Sequence, residues 1–322
     1  MKYIAFLLSF ISLSVQAQDF EFKKVSKAEL EEQYHPLDST APAATLYEKG
    51  YLNFKYREGW EYDLEVTRRV KIYNSDGYDY ATIELPYYYG NKSSEREDVN
   101  KIKAYVYYLE GNKIKDEKLR NRDFIEEEVS ENRKRIKFTF PNLKPGSIIE
   151  YTYTKESPFI SSLPEWRFQD EIPVNQSIYE LIIPATFGYN ERSKGFHTIQ
   201  KEVENTTIIL NARVETGAKY NPGVGALRSK AGSFKSDAIK YIYQAQDVPK
   251  LKDEAFVNNV NNFMTSIRHE LSFTRDLEYG TVKQYNTNWE KVGMRLQKSD
   301  YFGIELDKNK YYQEDIDNIL SQ

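Results

Sequence analysis

From Glu61 to Thr67 apolar and polar side chains change places at every residue, with Tyr62, Leu64 and Val66 on one side and Glu61, Asp63, Glu65 and Thr67 on the other. Only an extended chain puts residues two apart on one face, so this stretch predicts a half-buried β-strand. The pattern returns at Ile102, Ala104, Val106 and Tyr108, from Arg135 to Phe140, and from Ile148 to Tyr153. Turn residues separate these runs at Asn74-Ser75-Asp76-Gly77, at Glu110-Gly111-Asn112-Lys113, and at Pro145-Gly146. In the last of these, proline fixes φ and glycine permits positive φ, so a strand can begin at Ser147. Trp166 and Phe168 alternate with Arg167 and Gln169, as inward anchors would.

A second series follows, with Tyr179, Leu181 and Ile183 ahead of Pro184, then Thr206 to Leu210, Ile239 to Tyr243, and a last strand from Phe263 to Phe273. The expected fold is mostly β, an antiparallel β-sandwich, either one large or two in series, with parts at 45–165 and 166–280. The 27 tyrosines suit this, because a pleated surface accepts a large ring with a wet hydroxyl end. The loop from Tyr220 to Ser233, rich in Gly and Ala, reads as mobile.

The first 17 residues carry Lys2, an apolar run from Tyr3 to Val15 and a small-residue cleavage pattern at Val15-Gln16-Ala17, which predicts a secretory signal peptide. The run is shorter than the ~20 apolar residues that cross a bilayer, and no later segment is apolar enough to do so. The expected mature chain starts near Gln18 and is exported, to the periplasm or the cell exterior. Residues 18–44 are polar and read as a lead-in, a short helix or extended stretch that stops at Pro36 and Pro42.

Chemistry is constrained by what is scarce. The chain has no cysteine, which excludes disulfides, thiolate zinc sites and cysteine nucleophiles, and its only histidines are His35, His197 and His269. His269-Glu270 begins like a zinc-binding HExxH helix, but Phe273 occupies the place of the second histidine, so His269 reads as an ordinary strand residue. The formal charge is −4 and lacks the basic field that gathers phosphates, so no nucleic-acid partner is expected. Glu126-Glu127-Glu128 and Glu95-Arg96-Glu97-Asp98 lack a calcium loop and read as solvated charge. Gly223-Val224-Gly225 lacks a following phosphate-binding lysine and reads as loop. Carboxylate pairs for glycoside hydrolysis exist in any chain with 49 acids, and none is singled out. No catalytic residue, metal ligand or cofactor is predicted. The candidate ligand site is the cluster Tyr87-Tyr88-Tyr89 after Pro86, whose rings could stack on a sugar or peptide, or else simply end a strand with one ring buried.

Near the C-terminus Asn288 can cap a helix whose Trp289, Val292 and Leu296 share a face, and a second helical stretch runs from Lys310 to Leu320. With these in place, a set of phrases stands in order: Pro141-Asn142-Leu143-Lys144-Pro145-Gly146-Ser147-Ile148-Ile149-Glu150-Tyr151, Trp166-Arg167-Phe168-Gln169, Ile172-Pro173-Val174, Asp247-Val248-Pro249 with Glu254, then Trp289, Ser299 and Phe302-Gly303. Together they resemble the N-terminal domain of unknown function that precedes a transglutaminase-like core in exported proteins of Gram-negative bacteria. The resemblance implies that 285–322 opens a papain-like domain whose Cys, His and Asp would perform acyl transfer or amide hydrolysis, and whose remainder lies beyond this chain. No such cysteine is present, so no catalytic residue carries over. What is implied is a non-catalytic accessory module, its partner the protein's own core, presenting peptide or glycan to it; the alternative is a stand-alone glycan- or peptide-binding sandwich. Pro145, Gly146, Trp166, Phe168, Pro173 and Pro249 are expected to be structural.

Overall fold

The computed structural model describes residues 20–57, 59–215, 229–252, 257–276, 280–285, 289–299 and 313–321. The signal-peptide segment, most of the loop from Tyr220, Glu254, the Asn288 cap and Phe302-Gly303 lie outside the described residues.

After helix α1 (Lys27–Glu31) come β1 (Ala43–Tyr56), β2 (Trp60–Ile72), β3 (Thr82–Tyr88), β4 (Asp98–Glu110) and β5 (Lys113–Lys118). Next are β6 (Ile125–Ser130), β7 (Arg133–Thr139), β8 (Ile148–Ser157), β9 (Trp166–Arg167) and β10 (Val174–Pro184). The chain continues through β11 (Phe187–Lys194), β12 (Gln200–Glu215), β13 (Ser229–Val248), β14 (Ser266–Arg275) and β15 (Val282–Gln284), then α2 (Trp289–Gln297) and α3 (Gln313–Leu320). One eight-stranded sheet runs in the order β12-β13-β10-β1-β2-β8-β4-β5. A small sheet of β11, β14, β15 and β9 and a three-stranded sheet β3-β7-β6 complete the body.

Both small sheets lie on one face of the large one, and the alternation of β2 shows why. Tyr62, Leu64 and Val66 join Trp166, Phe168, Tyr179 and Ile267 in a first core, while Val70 and Ile72 join Leu85, Phe138, Phe140 and Ile149 in a second. All of these β2 residues have the same parity and therefore share a face. The outcome is one large sheet with two small sheets side by side upon it, and strands from both halves of the sequence are woven into it. Every pairing in the large sheet is antiparallel except β1 with β10, where Leu52 lies opposite Leu181 in a parallel register.

Trp166 anchors the first core. Its ring stacks on Tyr179 with centroids 5.0 Å apart, its Nε1 donates to Ser177 Oγ at 3.0 Å, and it lies over Gly50, where an added Cβ would come within 2.4 Å of the ring. Phe168 is fully buried beside it. At the other expected turn Gly146 has φ +88°, a conformation natural to glycine, and Gly146 N donates to Ile72 O at 2.8 Å, tying the turn to the end of β2. Pro173 O accepts from Thr45 N at 2.9 Å, and Pro249 O accepts from Gln169 Nε2 at 3.0 Å.

The lead-in is not a loose linker. Ser26 and Glu29 form a capping box that starts α1, with Ser26 Oγ accepting from Glu29 N at 3.1 Å and Glu29 Oε2 from Ser26 N at 2.6 Å. Leu30, with Phe22 and Val25, packs on Tyr105, Tyr107 and Ile148, on the opposite face of the large sheet. At the other end of the chain the α2 cap residue is undescribed, but the helix itself forms, and Trp289 and Leu296 on its apolar side are exposed.

Candidate functional site

Among the described residues, three clusters bring buried titratable side chains together. The first lies under the N-terminal segment. Arg69, 5% exposed, donates to the fully buried Glu150 at 2.6 Å and to Glu29 at 2.9 Å, and reaches Glu21 O at 3.0 Å. Lys23 N and Tyr107 Oη donate to the other Glu150 oxygen at 2.8 and 3.3 Å. Burial pushes the Glu150 carboxyl up, and Arg69 opposes this. Next to it the buried Lys71 donates from Nζ to Leu30 O and Gly146 O, each at 2.8 Å. Burial lowers its pKa to about 8 against the pull of Glu32 and Glu29.

The second cluster stands where the two cores meet. Arg68, with the same parity as the β2 core residues, donates to Thr45 Oγ1 at 2.8 Å, pairs with Glu48 at 3.3 Å and binds Asp170. Burial raises the Glu48 carboxyl; at Asp170 burial acts in the same sense, but Arg68 outweighs it and holds the group below its ordinary value.

The third joins the first small sheet to the large one. Tyr243 Oη donates to Glu191 at 2.6 Å, so His269 Nε2, 3.0 Å from the same oxygen, must be the donor to it. That leaves His269 Nδ1 as an acceptor with no partner among the described residues. Burial lowers the His269 pKa to about 4, so the ring is neutral, against the weaker pull of Glu191. His269 and Tyr243 are almost fully buried. Such a triad resembles a proton relay in composition; Glu191, paired with Lys201 at 2.5 Å, ties β11 through Tyr243 to the large sheet, so the three form a polar bolt between sheets.

The surface offers grooves instead. One of about 540 Å³ is lined by Phe196, His197, Pro249, Leu251, Val260 and Phe263. Phe196 and Phe263 stack there with centroids 6.2 Å apart, and Phe196 is 88% exposed. A polar recess of about 290 Å³ lies beside Phe20, Tyr47 and Arg69, and an open cleft of about 900 Å³ lies between β5 and β6. None of these is lined by Glu150, Glu48, Glu191 or His269. Among the described residues no three His, Asp or Glu side chains come together as metal ligands.

The tyrosine cluster does not form one platform. Tyr87 is buried in the second core with its hydroxyl donating to Glu126 at 2.6 Å. Tyr88 meets Phe159 edge to face at 5.4 Å, and the Tyr89 ring carries Arg96 at 4.3 Å and Lys134 at 4.1 Å. Adjacent residues of a strand point to opposite faces, so three successive rings cannot present one surface. Glu126 and Glu127 form a ladder with Lys134 at 2.9 Å and Arg135 at 2.6 Å across β6 and β7. The Phe196–Phe263 groove was not apparent in the sequence, because its two rings are far apart in the chain and Phe263, expected to open the last strand, lies instead in the turn before β14, which begins at Ser266.

Residues 61–214 match the family model DUF3857, a domain of unknown function with a solved structure. The match runs from β2 into β12 and leaves out β1, β13 and β14. A crystal structure from Parabacteroides distasonis described as "a putative protease" is 12% identical with a TM-score of 0.49, covering 71% of this chain and 40% of that one. The chain thus spans less than half of that structure's length. No curated protein matches.

Proposed function

We propose that this chain is a non-catalytic accessory and binding module of an exported transglutaminase-like protein, its catalytic core lying beyond Gln322. The observation that carries this reading is the uncovered apolar side of the C-terminal helices: Trp289 is 88% exposed on α2, and Ile319 and Leu320 are 72% and 78% exposed on α3. Apolar helix faces of this kind bury themselves against a neighbouring layer. Supporting it, the buried ion pairs of Arg69 with Glu150 and of Arg68 with Glu48 and Asp170 are closed within the chain, and none of the grooves described above is lined by Glu150, Glu48, Glu191 or His269.

The test is to read the native frame past Gln322 and express whatever follows with this chain. A continuing frame with Cys, His and Asp is expected, and Trp289→Asp should lower the melting temperature of that longer protein and its acyl-transfer or amidase activity. A stop codon after Gln322, or amide or glycoside turnover by this chain alone, overturns the reading. A stand-alone peptide-binding role is the second reading, favoured by the Phe196–Phe263 groove, whose exposed rings suit an apolar side chain.

A further inference from the structure

The large sheet has two edges of very different character. At one end lies β5, six residues reading Lys-Ile-Lys-Asp-Glu-Lys, a short, charged strand of the kind that discourages strand addition. At the other lies β12, a strand of 16 residues paired only with β13, its outer edge unpaired among the described residues. Its stretch Val203-Glu204-Asn205-Thr206-Thr207-Ile208-Ile209-Leu210 contains no proline or glycine, and its register with β13 runs without a bulge. Two of its apolar side chains are open to water, Val203 at 56% and Ile209 at 71%. Such an edge is a template for another strand.

We infer that β12 pairs antiparallel with β12 of a second copy of this chain, joining two large sheets across a two-fold axis. The sequence selects the register. A two-fold axis perpendicular to the sheet and passing midway between the two Thr206 residues places Val203 of each copy directly opposite Ile209 of the other. The exposed apolar residues then cover one another on both sides of the axis. In that register Glu204 faces Ile208 and Glu202 faces Leu210, so no like charges oppose each other, and Thr206 meets itself at the centre. A register shifted by two residues loses both Val203–Ile209 pairs. The contact is self-complementary and closed, giving a dimer rather than a fibre.

The native chain has no cysteine, so a single introduced thiol reports the geometry directly. At a two-fold centre opposed Cα atoms stand about 4.5–5.5 Å apart, within the range a disulfide spans. Thr206→Cys should therefore form a disulfide-linked dimer under mild oxidation, whereas Thr207→Cys, displaced diagonally from its counterpart, should cross-link far less. The unmodified mature chain should show a concentration-dependent dimer by light scattering, and the double variant Val203→Lys, Ile209→Lys should be monomeric with an unchanged circular dichroism spectrum, since both sites are solvent-exposed. A chain monomeric at every soluble concentration, a dimer that survives the lysine pair, or equal cross-linking at 206 and 207 overturns the inference.

Discussion

The two faces of the large sheet are covered by opposite means. On one, the small sheets bury rings and aliphatic side chains around Trp166, Phe54 and Phe138, and the ion pairs of Arg68 with Glu48 and Asp170 are confined to the seam between the two cores. On the other, a short N-terminal segment is held by Arg69, Glu150 and Lys71. A sheet can thus be sealed by volume or by satisfied charge. The first fails when atoms are removed, and the second when a partner is removed and its counter-charge stays buried.

Trp166→Ala probes the first face and should have the largest effect, a loss of about 3–5 kcal/mol in denaturant unfolding, because the stacked ring and the Ser177 bond go together and a cavity opens over Gly50. A change below ~1 kcal/mol would mean that this face tolerates voids and the contrast is false. Arg69→Ala probes the second face, stranding Glu150, and should cost ~3 kcal/mol. It should also make the bonds after Lys23 and Lys24 newly sensitive to trypsin, which Trp166→Phe should not. Equal proteolysis in both variants would show that the segment is not held by charge.

Lys71 sharpens the comparison through pH. Its pKa is about 8 in the folded chain against an ordinary 10.5, so between those values the unfolded chain binds the extra proton. Stability should therefore rise with pH across that window and be lost as pH falls back through about 8. The difference between wild type and Lys71→Met, followed from pH 7.5 to 10.5, isolates this slope from tyrosine ionisation; parallel curves would mean that the ammonium is solvated. The smallest effect belongs to Lys24→Ala, which removes an exposed pair with Glu21 and should change stability by less than ~0.5 kcal/mol.

The alternation at Tyr62, Leu64 and Val66 was enough to place β2, because a half-buried strand writes its environment every second residue. The alternation, read from Glu61 to Thr67, gave Arg69 and Lys71 no role, since a sequence does not say which segment will return to cover a polar face. The signal was present in Ser26-x-x-Glu29 and in Phe22, Val25 and Leu30, apolar residues inside a polar stretch. The parallel meeting of Leu52 with Leu181 was out of reach, because partners that far apart leave no local trace. For Tyr87, Tyr88 and Tyr89 the alternation rule implied divergence, and the alternative of a strand end with one ring buried matches the arrangement of the three rings. The tyrosine–glutamate bolt at His269 needed the pairing of β11 with β14, which no spacing encodes.

Strand β1 gives Ala43 to one core and Leu52 and Phe54 to the other. A cut between residues 165 and 166, where the pattern invites a domain boundary, would part β1 from β10 and leave each with a bare edge. Neither fragment inherits a closed unit, so shuffling, truncation and permutation must carry the whole body along. Grafts belong at its hairpin tips, such as Gly111-Asn112, where the chain reverses without touching either interior.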